Sequence, residues 1–364
     1  MTFPEPNRPP SDRPGLRVAL IAVAVLVVAA GMALAVRPLL REPAGVVVAA
    51  PSVSPRPPAT TAPSPRPARP QPAPRNSPRP PRQPRPAVTP PAEVALPPLR
   101  PQLRLFAGLS TWIDIYDVEL TPAEQIARAA AGGVELIFVQ SARHKSPTDI
   151  QDAARLGQVL ELAHDRGMQV MVWYVPDFVR ERRDHRRSQA AIAFQSPRGD
   201  RPDAFGFDIE IEDQTDVALR TERLLALSAV LRDWVGPDYP MAAIVLPPLQ
   251  LDLRPTWWPD FPYSQLRSYY DAFIPMSYSS YRGTDAKTTY TWNLNNVAEM
   301  RARAGDATLP VHLAGGIADN FPQVGEFVRA VRDSGSIGGG LYDLHTTHPD
   351  AWAILRALRA QPAN

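Results

Sequence analysis

The sequence contains no cysteine among its 364 residues. That excludes disulfides, thiolate metal centres, a cysteine nucleophile and a lipidated cysteine anchor. It also lacks a Gly-x-Ser-x-Gly nucleophile elbow, a phosphate-binding P-loop and a Gly-x-Gly-x-x-Gly dinucleotide fingerprint. Its six histidines form neither His-x-His nor His-Glu-x-x-His, so no metal and no cofactor are expected from spacing. No basic stripe interleaved with aromatics follows residue 104, so no nucleic-acid partner is expected.

What is present is unevenly spread. Most of the 44 prolines fall in the first third. Up to Arg104 there are 14 arginines, no lysine and 4 acidic residues, a balance of +10. The whole chain is +2, so the remainder is −8. A basic tail and an acidic domain are joined in one chain.

Val18–Val36 is an uncharged apolar run flanked by Arg17 and Arg37. At about 1.5 Å per residue it is long enough to cross a hydrocarbon core of about 30 Å. We expect a single transmembrane helix or signal anchor after a short cytoplasmic tail, residues 1–17. The alternative is a signal peptide cleaved after Ala33-Leu34-Ala35, releasing a secreted protein. In both cases the remainder lies outside the cytoplasm. Residues 37–102, rich in Pro and Arg, cannot bury enough apolar area to offset ordering. A disordered linker of polyproline II character is expected there, with a reach on the order of 150 Å.

From Leu103 short apolar runs alternate with helical patterns. Strands are expected at Leu105–Ile113, Leu136–Gln140, Gln169–Tyr174, Ala204–Glu210, Ala242–Leu246, Ala272–Met276, Pro310–Leu313 and Gly338–Tyr342. Helices are expected after Thr121, over Asp149–Arg166, Asp216–Val235, Asn295–Ala304 and Phe321–Ser334. Repeated strand-then-helix units predict an α/β domain, a (β/α)8 TIM barrel over residues 103–360. Such barrels place their sites at strand C-terminal ends. Here those ends carry Trp112 and Asp114, Trp173 and Asp177, Met276 and Tyr278, and Tyr342 and Asp343.

The fourth strand is the most informative, PDAFGFDIEIED. Asp208, Glu210 and Glu212 share one face of an extended chain, and Phe207, Ile209 and Ile211 share the other. Carboxylates crowded on one face repel, which raises at least one pKa. A carboxyl that keeps its proton near neutrality is what a general acid needs.

This segment resembles the strand-4 signature of chitinase-type (family 18) glycoside hydrolases, Asp-Gly-x-Asp-x-Asp-x-Glu. Two registers fit. One matches Asp203, Asp208 and Glu210; the other matches Gly206, Asp208 and Glu212. The first is favoured because it sets the acid nearer the strand end. Strand 6 is similar as well: Met276 and Tyr278 match that family's Met-x-Tyr-Asp, with Ser279 in place of the Asp. Its strand-8 Trp is replaced by Tyr342. Residues 103–358 as a whole resemble glycoside-hydrolase-like barrels of exported bacterial proteins. The resemblance implies Glu210 as the acid, Asp208 as its partner and Tyr278 as a substrate contact.

Asp114, Asp177 and Asp343 are candidates for a second carboxylate, and their distance from Glu210 would separate retaining from inverting chemistry. Trp112, Trp173, Tyr342, Asp114, Asp177, Asp343, Met276 and Glu212 are the further substrate-binding candidates. The Trp257–Tyr263 loop is a candidate substrate wall, and His312 and His345 are candidate contributors. The function expected is a membrane-tethered glycoside hydrolase of a cell-wall or extracellular polysaccharide. The alternative is a non-catalytic carbohydrate-binding barrel. A glycan substrate, a membrane contact through the N-terminal segment and a monomeric state are expected.

Overall fold

Eight parallel strands close on themselves in sequence order, β1 through β8, and β8 pairs back onto β1. They are β1 Gly108–Ile113, β2 Leu136–Arg143, β3 Gln169–Val175, β4 Ala204–Ile209, β5 Met241–Val245, β6 Ala272–Ser277, β7 His312–Gly315 and β8 Gly338–Leu341. This computed structural model describes residues 101–359, apart from Thr284 and Asp319. The apolar segment Val18–Val36 and the Pro/Arg-rich stretch up to residue 100 lie outside the described residues. Among the described residues no helix is long and apolar enough to cross a membrane.

The strands are nearly continuous apolar runs because the sheet is covered on both faces. Which side chains point inward follows from β4. A Cβ added at Gly206 would meet the side chains of Met171 and Ile244, so Gly206 lies on the inner face. Asp208, two residues on, shares that face, and Phe205, Phe207 and Ile209 pack outward. The register carries this parity round the barrel, from Trp112 beside Phe138 to Trp173 beside Gly206.

The lower barrel is filled by a buried polar pair. His312 lies between the Ser110 hydroxyl and the Phe106 carbonyl, each at 2.7 Å. The carbonyl can only accept, so Nδ1 carries the proton and Nε2 accepts from Ser110. Burial depresses the His312 pKa to about 4, so the ring is neutral. A Cβ at Gly338 would approach His312 Nδ1 to 2.6 Å, and one at Gly340 would approach the Ser110 carbonyl to 2.2 Å. These glycines make room for the pair. His312 therefore holds the barrel together well below its mouth.

Helices cover the outside, and their starts follow local rules. Thr121 caps Pro122–Gly132 in a complete capping box with Glu124. Asp216 caps Val217–Val235, and Asn320 caps Phe321–Asp333. Besides short helices such as Pro248–Leu253 and Ala351–Leu355, two longer elements depart from the sequence expectation. The helix expected at Asn295 begins at Ala286, capped by Asp285. A further helix, Glu181–Ile192, carries too few apolar residues to signal itself in the sequence. Its buried side is held by polar bonds instead. Asp184 accepts from the Tyr174 hydroxyl at 2.7 Å and the Phe178 amide at 3.0 Å, and Arg187 donates to the Arg143 and Ser146 carbonyls.

Candidate functional site

The polar groups gather where the inner face meets the C-terminal ends of the strands. Trp112 from β1 and Trp173 from β3 have ring centroids 5.8 Å apart. Tyr342, just after β8, lies 5.8 Å from Trp112 and 5.8 Å from Tyr278, just after β6. Tyr278 feels the charges of Asp208 and Glu210, which places both carboxyls beside this aromatic arc. Asp114 joins from the β1 loop and accepts from the Tyr342 hydroxyl at 2.6 Å. Met276 is buried on the same inner face, in register with Ala314. Asp343 follows Tyr342 through a cis peptide and also acts on Tyr278.

Burial dominates the electrostatics. Asp208 is buried, and desolvation with the neighbouring Glu210 charge raises its carboxyl well above the usual range. Desolvation lifts Glu210 to about 7, opposed by the Arg143 guanidinium. Two carboxyls this close share their titration, so the pair retains at least one proton at neutrality. Burial, then the two carboxyls, pushes the Tyr278 phenol up, so it stays a donor. Three buried polar atoms of this region, Asp208 Oδ1, Trp112 Nε1 and Trp173 Nε1, have no hydrogen-bond partner in the protein. Buried polar groups are normally paired, so orphans in one place mark a surface shaped for something else.

Not every candidate arrives here. β4 ends at Ile209, where its pairing with Val245 stops. The strand expected over Ala204–Glu210 therefore ends one residue early, and the inward acidic face within β4 consists of Asp208. Glu210 stays in electrostatic reach of Asp208, whereas Glu212 turns toward Arg220. Asp203 lies at the other end of β4, bonded by the Val170 amide at 2.7 Å and by His164 at 3.0 Å. Asp177, just beyond β3, is held by its own loop and the following helix. One of its oxygens, Oδ1, takes the Val179 and Arg180 amides and the Arg183 guanidinium. Burial favours its neutral form, but these donors outweigh burial and hold its carboxyl below the ordinary range.

The Trp257–Tyr263 loop is packing rather than a wall. Trp258 is 1 % exposed and lies 4.1 Å from the Arg220 guanidinium, and the Tyr263 hydroxyl bonds the Leu246 carbonyl. His345 pairs loosely with Glu119 at 3.8 Å, at the surface. Three residues that lie at or after strand ends in the sequence but are not among the site candidates join the site: Arg143, Tyr281 and Asp117. Arg143 and Tyr281 both act on Glu210 or feel its charge, and Tyr281 is half exposed at the mouth. Burial, then Asp114 and Asp343, lifts Asp117 to about 8. Nothing in a linear reading ties these positions to strand 4.

Among the described residues, two side-chain groups have ligand atoms close enough to share a cation: Asp114 with Asp117 and Asp343, and His144 with Asp177 and Asp213. The first is largely satisfied from within, by Tyr342, the Tyr116 and Asp114 amides and the Thr346 amide.

No family model matches the chain, and no curated protein matches it. Solved structures do. An endo-beta-1,4-mannanase from Thermotoga petrophila superposes with a TM-score of 0.51 at 12 % identity, over 65 % of this chain and 68 % of that one. A spore cortex-lytic enzyme from Bacillus cereus gives 0.53 at 8 % identity, over 70 % and 74 %. A family 18 chitinase from Cycas revoluta, in complex with allosamidin, gives 0.51 at 11 % identity, over 69 % and 98 %. This barrel thus shares the fold of glycoside hydrolases and is distantly similar to the family 18 members among them.

Proposed function

We propose that this chain is a glycoside hydrolase, held outside the cytoplasmic membrane by its N-terminal apolar segment and acting on a cell-wall or extracellular polysaccharide. The observation that carries the reading is Glu210, a carboxyl with a pKa of about 7 next to the buried Asp208 and a ring of aromatics. Tyr342 and Tyr278, both partly exposed, and Tyr281 at the mouth offer apolar faces and hydroxyls to a sugar ring, while the buried Trp112 and Trp173 back them from below.

Glu210 gives its proton to the glycosidic oxygen as the bond to the anomeric carbon breaks. The leaving sugar departs as an alcohol. Water adds at the anomeric carbon, and its proton restores the carboxyl pair. Burial and the Glu210 charge push the Asp208 carboxyl upward, which favours its neutral form beside Glu210. Tyr278 orients the substrate near the pair.

The test is release of reducing ends from a panel of wall and storage polysaccharides by the full chain, with binding measured alongside. Turnover of at least one polymer is expected. Binding without turnover across the panel would replace the hydrolase with a carbohydrate-binding barrel.

A further inference from the structure

We propose that His144, Asp177 and Asp213 form a divalent-cation site of the zinc class, separate from the Asp208–Glu210 pair. The three residues come from neighbouring loops. His144 directly follows β2, Asp177 lies two residues beyond β3 and Asp213 four beyond β4. One ligand atom from each lies within 4.8 Å of the others.

Two further observations point to an ion. His144 is 6 % exposed, yet neither ring nitrogen has a hydrogen-bond partner. A buried imidazole with both nitrogens unbonded is costly in a finished protein. Its Nε2 lies 3.4 Å from Asp213 Oδ2, long for a hydrogen bond. Tetrahedral zinc with ligands at about 2.0–2.2 Å separates neighbouring ligand atoms by about 3.3–3.6 Å. The spacing is that of a coordination edge.

The surroundings suit the role. The donors that hold Asp177 all bind Oδ1, leaving Oδ2 for a metal and fixing the carboxylate as outer-shell bonds do. Asp213 is 46 % exposed, which gives an entry path from solvent. Two carboxylates and a neutral imidazole cancel a dication. Arg183 stays on Asp177, and the exposed Lys145, 3.7 Å from Asp213, can swing away. Three protein ligands leave a fourth position for water. The ion ties the β2, β3 and β4 loops together, three residues from Glu210.

The experiment is metal content and thermal unfolding of the full chain, dialysed against micromolar zinc and then against chelator. About one zinc per chain is expected, with a melting temperature that falls on chelation. Asp213→Asn, at a partly exposed position, should lose the bound zinc and the chelator response. Asp114→Asn should keep both. Absence of stoichiometric zinc in the wild type overturns the proposal. So does zinc that survives Asp213→Asn but is lost with Asp114→Asn. Neither outcome bears on glycan turnover.

Discussion

Replacing Glu210 by Gln should make the protein more stable at alkaline pH while removing its activity. The Glu210 carboxyl rises from 4.5 to about 7 on folding, a span of about 2.5 in pH. Each unit is worth about 1.4 kcal/mol. A carboxyl with a raised folded-state pKa binds its proton more tightly in the native protein than in the unfolded chain. Native stability therefore falls as pH rises from about 4.5 to about 7, and the full cost is present above that window. The cost is on the order of 3 kcal/mol, shared with Asp208 because the two titrate together. The amide of the Glu210→Gln variant is neutral at every pH and does not carry it. Urea unfolding of both proteins at pH 5 and pH 8.5 reads the difference. The variant should gain on the order of 2–3 kcal/mol over the wild type at pH 8.5 and little at pH 5. A variant no more stable than wild type at pH 8.5 would refute a desolvated, proton-holding Glu210.

Four other outcomes follow from the same structure. Turnover should decline on the alkaline side through about pH 7, as Glu210 loses its proton, and a pH–rate profile flat from 6 to 9 would contradict its role as acid. Arg143→Met removes the one charge that opposes that shift, so the alkaline limb should move to higher pH. Gly340→Ala drives a Cβ to 2.2 Å from the Ser110 carbonyl, and should cost several kcal/mol or prevent folding, read by thermal unfolding. Thr121→Ala breaks a capping box and should cost about 1 kcal/mol with activity unchanged.

The barrel is legible in the sequence because most of its strands are apolar runs that need nothing but burial. β8 is the exception. Gly338-Gly339-Gly340 has no strand propensity, and only its place after seven strand-helix units marks it. Its glycines are explained by His312 and Ser110, which lie far away in the chain. The helix from Ala286 begins with a Thr- and Asn-rich stretch of weak helix propensity, so only its second half is visible in the pattern. Glu181–Ile192 escapes a periodicity argument because Asp184 and Arg187, both buried, serve where apolar residues normally would. In the site, alternation along one strand points to Asp208 and Glu210, and it says nothing firm of Glu212 because alternation ends where pairing ends. Arg143, Tyr281 and Asp117 act across loops, and no local pattern carries that information. The burial of Trp258 depends on Arg220 stacking against it, a contact invisible in one dimension.

The most direct test of Glu210 as general acid compares two leaving groups. A natural polysaccharide needs its departing oxygen protonated, whereas a dinitrophenyl glycoside departs without help. With the natural polymer, Glu210→Gln should lower kcat/KM by about 10²–10⁴. With the activated glycoside the same variant should keep activity within about tenfold of wild type. An equal loss on both substrates, or no loss on the polymer, would contradict the assignment.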